Sequence, residues 1–194
     1  MNASFRIGTL LTAVLTVLCA SPASAEQSAA ANPAAAQARD GQRDFDFKDG
    51  TWTTHIRRLR HPLTGSHEWI ELNGTVTTHK VWGGKALLEE VEADGPDGHF
   101  EDLGLFIYNP ATHQWSMYFA TGNDGVMGAP MFGEFRNGRG EFFDQEDVNG
   151  RSILARFVWL DIRPDSHRVE QSFSDDGGKT WESNFVADLQ RVKP

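Results

Sequence analysis

The chain of 194 residues carries a formal net charge of −9 and contains six Trp, thirteen Phe and one cysteine. Its basic residues do not cluster beyond Arg57-Arg58 and Arg60, which argues against a nucleic acid or an anionic membrane surface as partner. The one cysteine, Cys19, lies within the first 25 residues. The chain after them therefore has no cysteine that could form a disulfide, act as a thiol nucleophile or bind a metal as thiolate.

The first 25 residues have the order of a secretory signal peptide. One positive charge, Arg6, precedes the apolar stretch Ile7–Ala20, and Ala23-Ser24-Ala25 is a small-residue cleavage site. The apolar stretch is too short to span a bilayer comfortably. We therefore expect cleavage after Ala25, export to the periplasm or the medium, and no insertion into a membrane.

Residues 26–43 are rich in Ala, Ser, Asn and Gln and contain no aromatic side chain. Such a segment cannot offset its ordering entropy by burial, which predicts a flexible leader. The folded domain is expected over residues 44–194, a length sufficient for one core without disulfides. Phe45 and Phe47 are spaced to anchor a single turn just before Gly50.

The domain alternates β-branched and aromatic stretches with turn residues such as Asn109-Pro110 and Asn137-Gly138. Ten strands are predicted: 51–60, 68–81, 85–93, 103–108, 114–121, 131–136, 140–146, 153–162, 167–174 and 181–189, with Asn73-Gly74 as a possible tight turn or bulge in the second. Short, evenly spaced strands indicate an antiparallel sandwich or barrel. Ten of them in one domain favour a closed up-and-down β-barrel, which has no exposed edge.

Alternation along each strand predicts which side chains face the interior. The expected interior is mostly aromatic, with Glu89, Gln171 and Ser183, and with Arg58 and Glu71 as further candidates. One interpretation is a structural ion pair of Arg58 with Glu89 or Glu71. The other is a ligand cavity with apolar walls and a few polar groups. The candidate ligand-binding residues are Arg58, Trp69, Glu89, Trp115, Met117, Phe157, Trp159 and Gln171.

Gly50-Thr51-Trp52, preceded by a candidate turn and followed late in the chain by Arg191, resembles the lipocalins. These open their first strand with Gly-x-Trp and pack an Arg from the end of the last strand over that Trp. The resemblance implies that the cation of Arg191 lies over the indole of Trp52 and seals one end of the barrel.

From Phe45 to Arg191 the order of features is also similar to a family of uncharacterised exported bacterial proteins with a lipocalin-like, calycin-type domain of unknown function. The shared features are Gly50-Thr51-Trp52, Glu89-Glu90, Tyr108-Asn109-Pro110, Trp115, Gly133, Gly138, Arg156, Trp159, Glu170–Ser174 and Trp181–Asn184. Phe106 stands where a basic residue is expected. The resemblance implies a fold and an exported location but no established chemistry.

The segment Ser174–Trp181 resembles the Asp-box of sialidases, with Ser174, Asp176, Gly178, Thr180 and Trp181 in matching places. Sialidases repeat this motif once per propeller blade, and a propeller needs a longer chain. A single copy between two strands instead predicts a hairpin turn, in which Ser174 and Asp176 bond the backbone and the glycines adopt positive φ.

The seven histidines show no metal-ligand spacing, and we expect neither a metal nor a cofactor. Haem would require an inward histidine, for which His55 and His79 are the strand candidates. No Gly-x-Ser-x-Gly motif or recognisable catalytic triad is present.

Three functions follow from the predicted barrel. The first is binding of a small apolar or aromatic molecule inside it. The second is an acid–base isomerase, cyclase or lyase, for which Glu89 in an apolar setting is the best catalytic candidate. The third is a module that binds protein or cell envelope and has a filled core. A cavity smaller than about 300 Å³ would exclude the first two. The sequence leaves the oligomeric state open.

Overall fold

Ten antiparallel strands form the domain in a computed structural model that describes residues 40–148 and 150–193. The strands are β1 Gly50–Leu59, β2 Trp69–Val81, β3 Ala86–Gly95, β4 Gly98–Asn109, β5 Gln114–Thr121, β6 Met131–Arg136, β7 Arg139–Val148, β8 Arg151–Leu160, β9 Ser166–Ser174 and β10 Glu182–Arg191. Each strand pairs with the next, and β1 pairs with β10, so the sheet closes. The predicted up-and-down barrel is therefore confirmed. Residues 1–25, the predicted signal peptide, lie outside the described part.

No helix within the described ranges has the length and apolar character needed to cross a bilayer.

Gly74 marks a close approach of two strands, and the turn or bulge predicted at Asn73-Gly74 is wrong. Strand β2 runs through this dipeptide in continuous register, with Gly74 opposite Thr54 of β1 and Ala93 of β3. A Cβ atom at Gly74 would lie 1.9 Å from the carbonyl oxygen of Glu92. The position thus requires glycine because β3 leaves no room for a side chain.

The segment before β1 fills one end of the barrel. Asp46–Lys48 form a single 3₁₀ turn, as the spacing of Phe45 and Phe47 predicted. Phe45 is fully buried, and its ring lies 4.8 to 5.6 Å from five aromatic rings. These belong to Phe106, Trp115, Phe135, Phe142 and Trp159.

Residues 40–43, assigned to the leader from the sequence, also contact this end. The indole Nε1 of Trp115 donates to the carbonyl of Gly41 at 2.9 Å, and the hydroxyl of Tyr108 donates to Asp40 at 2.8 Å. The packed part of the chain therefore extends to Asp40.

Arg191 closes the same end, as the resemblance to lipocalins implied. Its guanidinium lies 4.1 Å from the ring of Trp52. It also donates to the carbonyl oxygens of Phe47, Asp49 and Pro164 at 2.6, 2.8 and 2.9 Å. A cation over an indole face combined with three hydrogen bonds ties the first turn to the end of β10.

The segment Ser174–Trp181 is the hairpin connection between β9 and β10. Asp176 accepts hydrogen bonds from Ser174, Lys179 and Thr180, while Gly177 and Gly178 have φ of 75° and 86°. Bonds from the backbone and side chain of Thr180, and then from Ser174, hold the pKa of Asp176 at about 2. The predicted turn is confirmed.

A bulge separates this turn from the rest of β10. The register with β9 shifts between Ser183 and Phe185, so Phe185 faces inward while Ser183 is exposed. The predicted inward placement of Ser183 is therefore wrong. Trp181 lies on the outer side, where the guanidinium of Arg156 is 4.4 Å from its ring.

Candidate functional site: the cavity of the barrel

A cavity of about 620 Å³ occupies the barrel above the aromatic cluster around Phe45. Lys48, Trp159 and His167 line its base, near the closed end of the barrel. Its opposite end reaches solvent, because the exposed residues Arg58 and Gly128 also line it. The volume lies within the usual range for small-molecule pockets, about 300–1,000 Å³. The alternative of a module that binds protein or cell envelope was predicted to have a filled core, which the described barrel does not have.

The cavity has one broad aromatic wall. The rings of Phe119 and Phe157 are stacked, with centroids 5.4 Å apart and an interplanar angle of 23°. Phe157 also lies 5.8 Å from Trp159 and 6.3 Å from Phe185. All four side chains line the cavity, which therefore offers flat apolar surfaces to a planar molecule.

At the base, Lys48 and Glu89 form a buried ion pair. The Nζ of Lys48 lies 2.5 Å from Oε2 of Glu89, and only 3% and 8% of the two side chains are exposed. The hydroxyl of Thr78 donates to the same carboxylate oxygen at 3.0 Å. Burial lowers the pKa of Lys48, and the charge of Glu89 opposes that shift.

The ammonium of Lys48 also lies over aromatic faces. Its Nζ is 4.4 Å from the centroid of Phe106 and 5.2 Å from that of Trp159. These cation–π contacts add to the ion pair at an ammonium whose side chain is almost fully buried. Phe106, the position where a basic residue was expected, is therefore in contact with a cation supplied by the turn before β1.

Three further carboxyl groups face the cavity without a hydrogen-bond or ion-pair partner of their own among the described residues. Burial, and then the charge of Glu89, raise the pKa of Asp102 to about 7, although Lys48 opposes this. Burial raises the pKa of Asp144 to about 6. Burial and then the charge of Asp144 raise the pKa of Glu146 to about 7.

His167 is buried and neutral. Burial, followed by the charges of Lys48 and Arg191, lowers its pKa to about 3. Its ring packs against Trp52 and Phe47 at 4.5 and 5.1 Å, and neither ring nitrogen has a hydrogen-bond partner in the described part of the chain.

The indole nitrogen of Trp159 and the hydroxyl of Thr54 are likewise without partners within the described ranges. Both residues line the cavity. Because buried polar groups are nearly always hydrogen-bonded, unpaired ones around a cavity point to interactions that a bound molecule would complete.

Five of the eight predicted ligand-binding residues line the cavity: Arg58, Glu89, Phe157, Trp159 and Gln171. Trp115 and Met117 face inward as expected, but they are close-packed in the core and do not line it. Whether the five contact a ligand stays a prediction.

The inward placement predicted for Trp69 is wrong. Arg58 of β1 pairs with Ile70 of β2, and both face inward, so the neighbouring Trp69 alternates outward. It is 37% exposed, and the guanidinium of Arg57 lies 5.8 Å from its ring.

Neither of the ion pairs predicted for Arg58 forms. Glu89 is paired with Lys48, while Glu71 lies on the outer face 3.4 Å from His55. Among the described residues, Arg58 has no ion-pair partner.

The polar residues of the cavity that sequence reasoning missed include Lys48, Asp102, Asp144, Glu146 and His167. His167 shares the alternation of Val169 and Gln171, and Asp102 shares that of Phe106, so the signal was present for both. The proposed haem candidates, His55 and His79, lie on the outer face. Lys48 precedes the first strand, where alternation predicts nothing.

Comparison with known proteins supports the fold alone. No family model and no curated protein matches the chain. Among solved structures, an S-type phycobiliprotein lyase from Guillardia theta has a TM-score of 0.54 at 10% identity and covers 81% of this chain and 95% of its own.

Two further structures have lower TM-scores. The structure of EF1p2_mFAP2b bound to DFHBI has a TM-score of 0.44, 10% identity, and coverage of 78% of this chain and 99% of its own. A de novo fluorescence-activating barrel has a TM-score of 0.43, 13% identity, and coverage of 79% of this chain and 99% of its own.

With its closed ten-stranded sheet, the sealed end at Trp52 and the central cavity, the domain is a lipocalin-like, calycin-type barrel.

Proposed function

We propose that the protein binds a small, largely apolar or aromatic molecule inside the barrel. The observation that carries this proposal is the cavity of about 620 Å³, which combines a wall of stacked phenylalanines with buried polar groups that have no partner among the described residues. Binding sites for small molecules have this composition, with mostly apolar walls and a few convergent polar groups.

The stacked rings of Phe119 and Phe157 favour a planar body, which would lie against them or against Trp159. The closed end is filled by Phe45 and sealed by Arg191, so a ligand enters from the opposite end. Entry there requires no opening of the sheet, and the barrel is therefore suited to reversible binding.

Native mass spectrometry of the protein purified from its own host tests this function. The expected result is a co-purified molecule of a few hundred daltons that organic solvent removes. Val91→Phe is a suitable matched variant, because Val91 lines the cavity and the larger ring would occupy it. The variant should keep the β-sheet circular dichroism signal and lose the bound mass. An unliganded wild-type protein that also binds no member of a panel of aromatic compounds would contradict the proposal.

A second candidate function is acid–base catalysis in the same cavity, and Asp102 is better placed for it than Glu89. Glu89 is held by Lys48 and Thr78, whereas Asp102 lacks such a partner in the described chain and has a pKa of about 7 caused mainly by burial. A carboxyl group of this kind can both give and take a proton near neutral pH. The fold similarity to a lyase is compatible with catalysis but does not favour it over binding.

Asp102→Asn separates the two functions once a ligand is known. Lost turnover with retained affinity would indicate catalysis by Asp102, whereas unchanged turnover would exclude this role. Glu89→Gln tests in the same way the catalytic role that the sequence predicted for Glu89.

We further propose that the protein acts after export, on the basis of the signal-peptide pattern in residues 1–25. N-terminal sequencing of the protein from its host should begin at Glu26. A mature chain that retains Met1 would contradict this proposal.

A further inference from the structure

We infer that the cavity selects an aromatic molecule carrying a positive charge, and that Asp144 and Glu146 at its rim bind the cationic group. This inference deepens the proposed function and rests on it. It specifies the chemical class of the ligand and the end of the cavity at which its charged group lies.

The position of the two carboxylates follows from the register of β7. Asp144 and Glu146 alternate with outward residues and share the inner face with Phe142, which is fully buried. On one side they are opposite Ala155 and Ile153 of β8.

On the other side the pairing of β6 with β7 ends at Phe143 within the described chain. Beyond that point the cavity wall contains Gly128 and Ala129, both exposed. Asp144 and Glu146 therefore flank a section of the rim where a ligand can approach from solvent.

Among residues 40–148 and 150–193, no cation forms an ion pair with Asp144 or Glu146. The charged and titratable groups that line the cavity are Lys48, Arg58, Glu89, Asp102, Asp144, Glu146, Asp147 and His167. Of the two cations, Lys48 is bound to Glu89. Arg58 is on β1, four strands away from β7 around the closed sheet, and forms no ion pair within the described residues.

The pKa values of Asp144 and Glu146 are raised, first by burial, and no nearby cation of the described chain offsets this rise. A bound cation would stabilise both ionised carboxylates, since an opposite charge close by favours the charged form. An anionic ligand would instead meet three uncompensated carboxyl groups.

Two unpaired groups deeper in the cavity are independent of the carboxylates and also point to a ligand. Thr54 and His167 are 5% and 3% exposed and line the cavity, yet the hydroxyl and both ring nitrogens are without partners in the described chain. Along β8, Trp159 and Phe157 lie between the level of His167 and that of Ala155, which is opposite Asp144. The two rings therefore form an aromatic surface between the deep groups and the rim. A ligand with a planar body and a charged end matches this sequence of groups.

Three probes with one aromatic body and different end groups test the inference: 2-naphthylmethylammonium, 2-naphthylmethanol and 2-naphthylacetate. Calorimetry at about pH 8 should show that the ammonium probe binds at least ten-fold more tightly than the alcohol, and the acetate most weakly. Affinity for the ammonium probe should fall as the pH decreases to about 5, because protonation removes the charges of Asp144 and Glu146, whereas affinity for the alcohol should not change.

The double variant D144N/E146Q should abolish the preference for the ammonium probe over the alcohol. E141Q, which removes a carboxylate from β7 at a position outside the cavity lining, should retain the preference. Equal binding of the ammonium and alcohol probes, or a preference that survives in D144N/E146Q, would overturn the inference and leave the proposed function standing. Binding of none of the three probes would also overturn it, and the proposed function would then be judged by its own mass-spectrometric test.

Discussion

Removing the ammonium of Lys48 should destabilise the barrel strongly. In Lys48→Met the aliphatic stem and its packing are retained, but the carboxyl of Glu89 loses the only cation bonded to it among the described residues. Both side chains are almost fully inaccessible, with 3% and 8% exposed. Loss of one partner from a buried ion pair costs about 3–5 kcal/mol, and the loss of the cation–π contact to Phe106 acts in the same direction.

Urea unfolding followed by tryptophan fluorescence measures this effect, and a second variant separates charge from packing. Lys48→Met with Glu89→Leu removes both charges and should recover most of the lost free energy of unfolding, since a buried pair can be replaced by apolar groups at little cost.

A Lys48→Met protein within about 0.5 kcal/mol of the wild type, the range of ordinary surface substitutions, would show that the buried ion pair does not stabilise the barrel. A double variant as unstable as the sum of the two single variants would also contradict this role, because the two charges would then not be coupled.

Three further outcomes are expected. Asp176→Ala should lower the melting temperature by roughly 2–6 °C with no change in ligand preference, and unchanged melting with altered binding would contradict its role in the turn. The pKa of Asp176 is held below its ordinary value, so its contribution to stability is complete above about pH 4 and should be lost as the pH falls toward about 2, which acid titration of wild type and variant checks. Gly74→Ala should destabilise the barrel by about 1–3 kcal/mol in chemical unfolding. Gly128→Ala, whose Cβ would lie 3.5 Å from its nearest neighbour, should be tolerated. Equal effects of the two substitutions would contradict the close approach of β3 to Gly74. The pKa of Asp102 is raised in the folded state from 3.8 to about 7, so the stability of the barrel should decline as the pH rises through that window. In melting curves recorded from about pH 4 to 8, Asp102→Asn should show a smaller decline. A decline of the same size in the variant would exclude Asp102 as its source.

The fold could be predicted because its determinants are local. Turn residues such as Asn109-Pro110 and Asn137-Gly138 separate the strands, and the bounds predicted for β5 and β6 are those observed. The predicted start of β4, at residue 103, is five residues later than the observed start at Gly98. Closure followed from the number of strands, since a barrel leaves no edge unpaired.

The site could be predicted only where alternation within a strand determines the face. Glu89, Phe157, Trp159 and Gln171 were found in this way, and Trp69 was misplaced because the partner strand, which fixes its face, is not visible in the strand's own sequence. A bulge has the same effect, as Ser183 shows.

Lys48 lay beyond such reasoning, since its position depends on how the turn before β1 enters the barrel. The ammonium of Lys48 reaches Glu89 because the ring of Phe45, three residues earlier in the chain, is inserted among five aromatic side chains from five strands. This is a tertiary arrangement that no local pattern encodes.

The charges inside the barrel differ in what compensates them, and this difference divides the cavity into two parts. At the base, Glu89 is neutralised by Lys48 and bonded by Thr78, so its charge is committed to holding the turn before β1 in place. At the rim, Asp144 and Glu146 have no such partner in the described chain, and their burial is unfavourable for the fold. Because an uncompensated buried carboxyl reduces stability, its position is best explained by the binding of a ligand, and recognition is therefore expected at the rim.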